Sequence, residues 1–210
     1  MQDFSLARRA MVDSQLRPQG VADGAVLAAM GKVERERFVP GRARALAYFD
    51  RPLAMGEGRT MMPPAALGRL LHEAGPLPGQ RVLVIGSGTG YSAAVLKEIG
   101  LDVTALEISR PLAAAAGENG IETQVGDLAK GWSKGAPYDL ILLDGAVEEI
   151  PAALGKQLAP EGIIAGAIVD RGVTRLFIGQ SANGAIGWRS IADSDVDLIP
   201  GFERPMAFTF

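Results

Sequence analysis

Hydrophobic positions follow two regimes along this chain: helical spacing up to about residue 75, then strand–helix alternation. Phe4, Ala7, Met11 and Val12 recur at helical spacing and predict a helix over 4–16, stopped by Arg17-Pro18-Gln19-Gly20. Val26, Leu27, Met30 and Val33 predict a second over 22–32. Phe38-Val39-Pro40 reads as a short extended piece, 42–46 as a further helical turn, and 50–62 as a loop through Gly56-Glu57-Gly58. Pro63-Pro64 suit the first turn of a helix over 65–74. Residues 1–75 are therefore expected to form a helical cap over one edge of a sheet. Residues 76–210 are expected to be the α/β domain of the same compact unit.

From residue 81 the period changes. Val82 to Ile85 is an uninterrupted apolar run of strand length that breaks into Gly86, Gly88 and Gly90. Such a run reads as a central strand buried on both faces. Tyr91 to Ile99 then carries Ala93, Ala94 and Leu96 and reads as a helix. Strand, glycine bend and helix form the leading edge of a doubly wound α/β sheet. Further strands are expected at 102–106, 121–125, 138–143 and 162–169, with helices at 109–119 and 150–158. The last forty residues switch to β-type alternation over 174–180, 185–191 and 205–210, with Asn183-Gly184 as a hairpin signal.

The glycines allow a sharp turn and let a ligand lie directly on the main chain. Their spacing is G-x-G-x-G, with Tyr91 where a dinucleotide fingerprint has its third glycine. Glu107 closes the next strand, 21 residues after Gly86, where an α/β nucleotide site places a carboxylate on the ribose hydroxyls. A carboxylate accepts two hydrogen bonds from a vicinal diol, and charge-assisted bonds are strong. Together the two features point to an adenosine-bearing cofactor. Asp127, after the third strand, is placed either to accept from an adenine amino group or to cap its own turn. Asp144 and Glu148-Glu149 follow the fourth strand, near where a reacting group would sit, or form a solvated acidic loop. His72 lies among Leu67, Leu70 and Leu71 and reads as structural; Met61 and Met62 read as gap-filling apolar residues.

Composition narrows the chemistry. The 210 residues are 48% hydrophobic with a net charge of −3, enough for a real core and against nucleic acid as the main partner. There is no cysteine and one histidine, which excludes thiolate catalysis and cysteine-ligated metal and leaves no histidine-based metal site. No run approaches the ~18 apolar residues of a membrane span, and no signal peptide is evident, so a cytoplasmic protein is the expectation. The chain has no tyrosine followed by lysine four residues on, no G-K-[ST] run and no G-x-S-x-G elbow. What remains is chemistry that asks little of side chains. Methyl transfer from a sulfonium is such a reaction, because the cofactor carries the activated carbon and the protein supplies binding and orientation.

Several stretches together resemble the protein-L-isoaspartate O-methyltransferases, which use S-adenosylmethionine. Met11-Val12, Gln15-Leu16, Val26-Leu27, Arg35-Glu36 and Phe38-Val39-Pro40 are similar to the family's N-terminal signature. So are Ala47 to Leu53, the cofactor loop V-L-V-I-G-S-G-T-G-Y, Gly126-Asp127, Pro151 with Gln157-Leu158, and Val196 to Gly201. The resemblance implies a mostly parallel, seven-stranded, methyltransferase-type (Rossmann-like) sheet with an N-terminal helical cap and a C-terminal antiparallel portion. It implies that Gly86, Ser87, Gly88, Gly90, Glu107, Ile108, Asp127 and Leu128 hold S-adenosylmethionine, with an isoaspartyl protein or peptide, or a small molecule, as acceptor. The family's substrate loop reads G-x-G-Q-T-I-S. Here Thr60 is retained, Arg59 replaces the glutamine, and Met62 stands at the serine. Arg59 is suited to pair with an acceptor carboxylate, and Thr60 is its partner in the expected catalytic set. The acid the family carries before the glycine loop is Val84. A divergent methyltransferase with another acceptor, and a non-catalytic binding protein, are the alternatives.

Overall fold

The computed structural model describes residues 3–182 and 185–204. Helix α1 (Phe4–Met11) is capped by Asp3, which accepts from the Ser5 and Leu6 amides, and runs on through a wider turn, Val12–Leu16. Helix α2 (Gly24–Lys32) is capped in the same way by Asp23. After 3-10 turns at Arg35–Phe38 and Gly41–Leu46 comes a hairpin, β1 (Leu53–Gly56) and β2 (Arg59–Met61), where the sequence reads as a loop. The hairpin forms because Leu53, Met55, Arg59 and Met61 alternate inward, while Gly56, Glu57 and Gly58 all take positive φ at the turn. Helix α3 (Pro64–Ala74) starts on a proline and ends on Gly75 in the left-handed region.

Strand β3 (Arg81–Ile85) leads through the glycine bend into α4 (Tyr91–Ile99), then β4 (Asp102–Glu107), α5 (Arg110–Glu118) and β5 (Thr123–Val125). Strand β6 (Tyr138–Val147), the single-turn helix α6 (Ala152–Gly155), β7 (Leu158–Asp170), β8 (Val173–Ala182) and β9 (Ala185–Asp193) complete the described chain. The sheet order is β5-β4-β3-β6-β7-β8-β9. The strands from β5 to β7 are parallel, and β8 and β9 are antiparallel additions. The seven-stranded, mostly parallel sheet with its antiparallel end is the one expected.

Two further expectations shift. The helix foreseen over 150–158 shrinks to one turn, since β6 extends to Val147 and β7 starts already at Leu158. The extension has a cause: the segment near residue 198 lies alongside β6, with Ala146 N donating to Asp197 O and Ile199 N to Ala146 O, each at 2.8 Å. The cap also covers a face of the sheet, not an edge. Met11, Leu16, Met30, Leu67, Leu70 and Leu71 join Val82, Val84, Leu140 and Leu142 in one apolar cluster. Leu83, Ile85, Ile141 and Leu143 point to the opposite face with Leu154, Phe177 and Ile199. The hairpin signal at Asn183-Gly184 and the strand expected at 205–210 lie outside the described residues.

Candidate active site at the carboxyl ends of the central strands

The order in which successive strands are added to the sheet reverses between the parallel neighbours β3 and β6, and the carboxyl ends of the strands at such a point form a crevice. Three strand ends meet there. The bend after β3 is tied to its neighbour by Gly86 N and Ser87 N, which donate to Leu106 O at 2.9 and 3.1 Å. Gly86 and Gly88 both have positive φ, which lets the chain turn sharply while the amides of residues 86, 87 and 88 bond Leu106 O and the Glu107 carboxylate. Gly90, also at positive φ, packs closely as well: a Cβ there would stand 3.0 Å from Ile121 in the turn between α5 and β5.

Glu107, at the end of β4, is fully buried. Its carboxylate accepts from Gly88 N (2.8 Å), Ile108 N (2.9 Å) and Ser109 N (3.1 Å). It also receives Arg59 Nη1 at 3.0 and 3.1 Å on its two oxygens, while Arg59 Nη2 donates to Gly86 O at 2.8 Å. Arg59, only 4% exposed, therefore lies over the glycine bend. Ile108 is 47% exposed and offers an apolar surface beside the crevice. Asp127 follows β5 and caps its own turn, accepting from Ala129 N at 3.1 Å and pairing with Lys130 at 2.9 Å. That lysine holds its carboxyl below the usual aspartate range. Leu128 is buried in the core behind it.

Thr60 donates its hydroxyl to Asp197 Oδ2 at 2.8 Å. Met62 is 3% exposed and turned into the core, and its carbonyl accepts from Arg35 Nη2 at 2.6 Å. Arg35 is fully buried, also donates to Ala47 O at 2.7 Å, and lies 4.6 Å from the centre of the Tyr91 ring. Asp144 lies on the cap side of β6. The register Val84↔Leu142 and Ile85↔Leu143 sets it level with Gly86, on the face that Val84 occupies. Burial pushes its carboxyl up to about 6, with Glu107 adding to the shift, against the pull of the Ser92 hydroxyl, Arg59 and Arg35.

The crevice thus unites Gly86, Ser87, Gly88, Glu107 and Ile108 with Arg59 from the hairpin. Sequence reasoning singled out these residues but missed Arg35 and Asp197. Arg35 stands in the charged run Glu34-Arg35-Glu36-Arg37, which carries no local signal that this member of the four is the fully buried one. Proximity to Thr60 depends on the return of the chain beside β6 and left no local signal for Asp197. A cavity of about 550 Å³ adjoins the bend, lined by Phe38, Val39, Met55, Thr89 and Leu112, with Arg37 and Arg44 also on its wall.

The residues present suit an adenosylated amino acid. The Ser87 hydroxyl at the bend is buried without a hydrogen-bond partner among the described residues, a polar atom left for a ligand to satisfy. A parallel sheet whose strand order reverses, a glycine bend at the first strand end and a buried acid at the next define a nucleoside-cofactor transferase of the methyltransferase type.

The sequence profile of the protein-L-isoaspartate(D-aspartate) O-methyltransferase family matches residues 7–187. The chain is 45% identical over 159 residues to the protein-L-isoaspartate O-methyltransferase of Gloeobacter violaceus, covering 72% of this chain and 78% of that one. It is 41% identical over 162 residues to the enzyme of the same name from Methylorubrum populi, covering 74% and 76%. This chain belongs to the protein-L-isoaspartate(D-aspartate) O-methyltransferase family, whose members depend on S-adenosylmethionine. Among solved structures, one protein-L-isoaspartate O-methyltransferase superposes with a TM-score of 0.80 at 25% identity, over 92% of this chain and 66% of that one. A Plasmodium falciparum protein assigned to the same activity, in complex with S-adenosyl-L-homocysteine, has a TM-score of 0.75 at 20% identity over 91% of this chain and 97% of its own, and shows the fold.

Proposed function

We propose that this protein transfers a methyl group from S-adenosylmethionine to the carboxylate of isoaspartyl residues in damaged proteins, a repair reaction of the cytoplasm. Family membership supports the reaction, and one observation carries its placement: a fully buried acid, Glu107, bonded to the glycine bend at Gly88, beside the unpartnered hydroxyl of Ser87. No helix among the described residues is long and apolar enough to cross a membrane.

S-adenosylmethionine, when bound, supplies an activated methyl carbon and a neutral thioether leaving group. The chain supplies the rest. Glu107 is assigned to the ribose diol, Ile108 and Leu128 to the adenine faces and Asp127 to the adenine amino edge. Ser87 and the Gly86 and Gly88 main chain are assigned to the amino-acid end. Asp144, on β6 and on the sheet face that Val84 occupies, is assigned to the ammonium in place of the acid missing at Val84. The acceptor carboxylate ionises near pH 4, so no general base is required at neutral pH. Alignment of that oxygen with the methyl carbon provides most of the rate. Arg59 is assigned to hold the acceptor carboxylate, and Thr60, on the other face of β2, to hold the hairpin in place through Asp197. Residues 1–75 act as cap and substrate loop and 76–210 as the cofactor domain.

The test is methyl transfer into an isoaspartyl peptide, read as base-labile ester, against its aspartyl counterpart. Ester formation on the isoaspartyl peptide alone is expected. Nucleoside binding without ester would replace this reading by a divergent acceptor, and absence of binding by a protein that keeps the fold without turnover.

A further inference from the structure

The ribose acid is already saturated. Arg59 Nη1 bridges both oxygens of Glu107 at 3.0 and 3.1 Å, and three main-chain amides, from Gly88, Ile108 and Ser109, take further positions at 2.8 to 3.1 Å. A carboxylate presents about four lone-pair sites, so none is left for a diol. The amides are fixed by the glycine bend and the start of α5. The guanidinium is the one donor that can leave. It also covers the bend: Arg59 Nη2 bonds Gly86 O at 2.8 Å and would stand 2.9 Å from a Cβ at Gly86. The nearby cavity of about 550 Å³ is lined by neither Arg59 nor Glu107.

We propose that Arg59 is a built-in occupant of the ribose subsite: the β1–β2 hairpin latches shut on Glu107, the incoming nucleoside diol displaces the guanidinium, and the freed guanidinium becomes the binding group for the acceptor carboxylate. This rests on the reading that Glu107 holds the ribose. The hairpin suits a latch. It is two short strands joined by an exposed turn at 56–58, tethered by the Thr60–Asp197 hydrogen bond. A displaced guanidinium loses a charged partner, and a second carboxylate restores one in the bidentate geometry that arginine favours. Cofactor and acceptor binding are therefore coupled, with the cofactor entering first. Glutamine, which the family carries here, is neutral and shorter and cannot hold the latch with a charge.

Calorimetric titration with S-adenosylhomocysteine tests the idea. Arg59→Gln should bind it about tenfold more tightly, because a closed state that excludes the ligand is removed. The KM for an isoaspartyl peptide should rise by about the same factor. Unchanged or weaker nucleoside binding by folded Arg59→Gln overturns the latch. Glu107→Gln separates the two readings: undiminished binding there rejects Glu107 as the ribose acid, whereas lost binding there with no gain in Arg59→Gln rejects only the latch. The native protein gives a measurement independent of folding defects. In arginine side-chain NMR, the slowly exchanging guanidinium protons of Arg59 should disappear on saturation with S-adenosylhomocysteine, while those of the equally buried Arg35 persist. Persistence of both sets overturns the proposal.

Discussion

Thr60 and Asp197, 137 residues apart in the chain, are joined by a hydroxyl-to-carboxylate hydrogen bond of 2.8 Å. It fastens the substrate hairpin to the segment that lies alongside β6. Thr60→Val keeps the shape and removes the donor. A hydrogen bond to a charged group contributes roughly 1.5–3 kcal/mol at most, less where water competes, and 1.4 kcal/mol is tenfold. We expect kcat/KM for an isoaspartyl peptide to fall about tenfold with little change in Tm, since the pair is solvent-exposed. Steady-state kinetics beside a thermal melt check this; a large loss of Tm with intact kinetics would assign the bond to folding alone.

Asp144 makes stability and cofactor affinity depend on pH in opposite directions. Its folded pKa is raised to about 6, so between the ordinary aspartate value and 6 the folded state holds a proton that the unfolded chain releases. The associated stability is complete below the unfolded pKa and is lost as pH rises through 6. Asp144→Asn, a mimic of the neutral form, should be more stable than the native protein at pH 8, on the order of 3 kcal/mol, and nearly equal to it at pH 4. Urea unfolding at the two pH values measures the difference.

An ammonium prefers the ionised carboxylate, so affinity for S-adenosylhomocysteine should climb from pH 5 to pH 7 in the native protein and stay level in Asp144→Asn. Calorimetry across that range decides it. A slope that survives the substitution would place the ammonium elsewhere.

Met62 stands at the family's serine and is buried in the core. Met62→Ser restores a hydroxyl at the cost of apolar burial, roughly 1–3 kcal/mol of stability. Activity on an isoaspartyl peptide should rise if the missing hydroxyl limits it. Arg35 is unaffected in this variant, because it bonds the main-chain carbonyl. An unchanged rate would show that the hairpin works without that hydroxyl.

Arg35 tests the cap. It is buried and ties Ala47 O and Met62 O together, so Arg35→Met leaves two carbonyls without their donor. A loss of about 2–4 kcal/mol is expected from two unsatisfied buried acceptors, checked by chemical denaturation.

The order of elements, the buried run Val82 to Ile85, the glycine bend and the acid at Glu107 were legible in the chain, because strand burial and bend geometry are written in neighbouring residues. The motifs of the family were legible for the same reason. The hairpin at Leu53 to Met61 was not, since Gly56-Glu57-Gly58 suits a loop as well as a tight turn and only packing against the sheet chose between them. Nor was the destination of three charges. The β3–β6 register set Asp144 beside Gly86, the return of the chain along β6 brought Asp197 to Thr60, and hairpin closure pressed Arg59 onto Glu107. These contacts join residues from 48 to 137 positions apart, and a side chain's charged partner at that range is fixed by tertiary packing, not by local pattern.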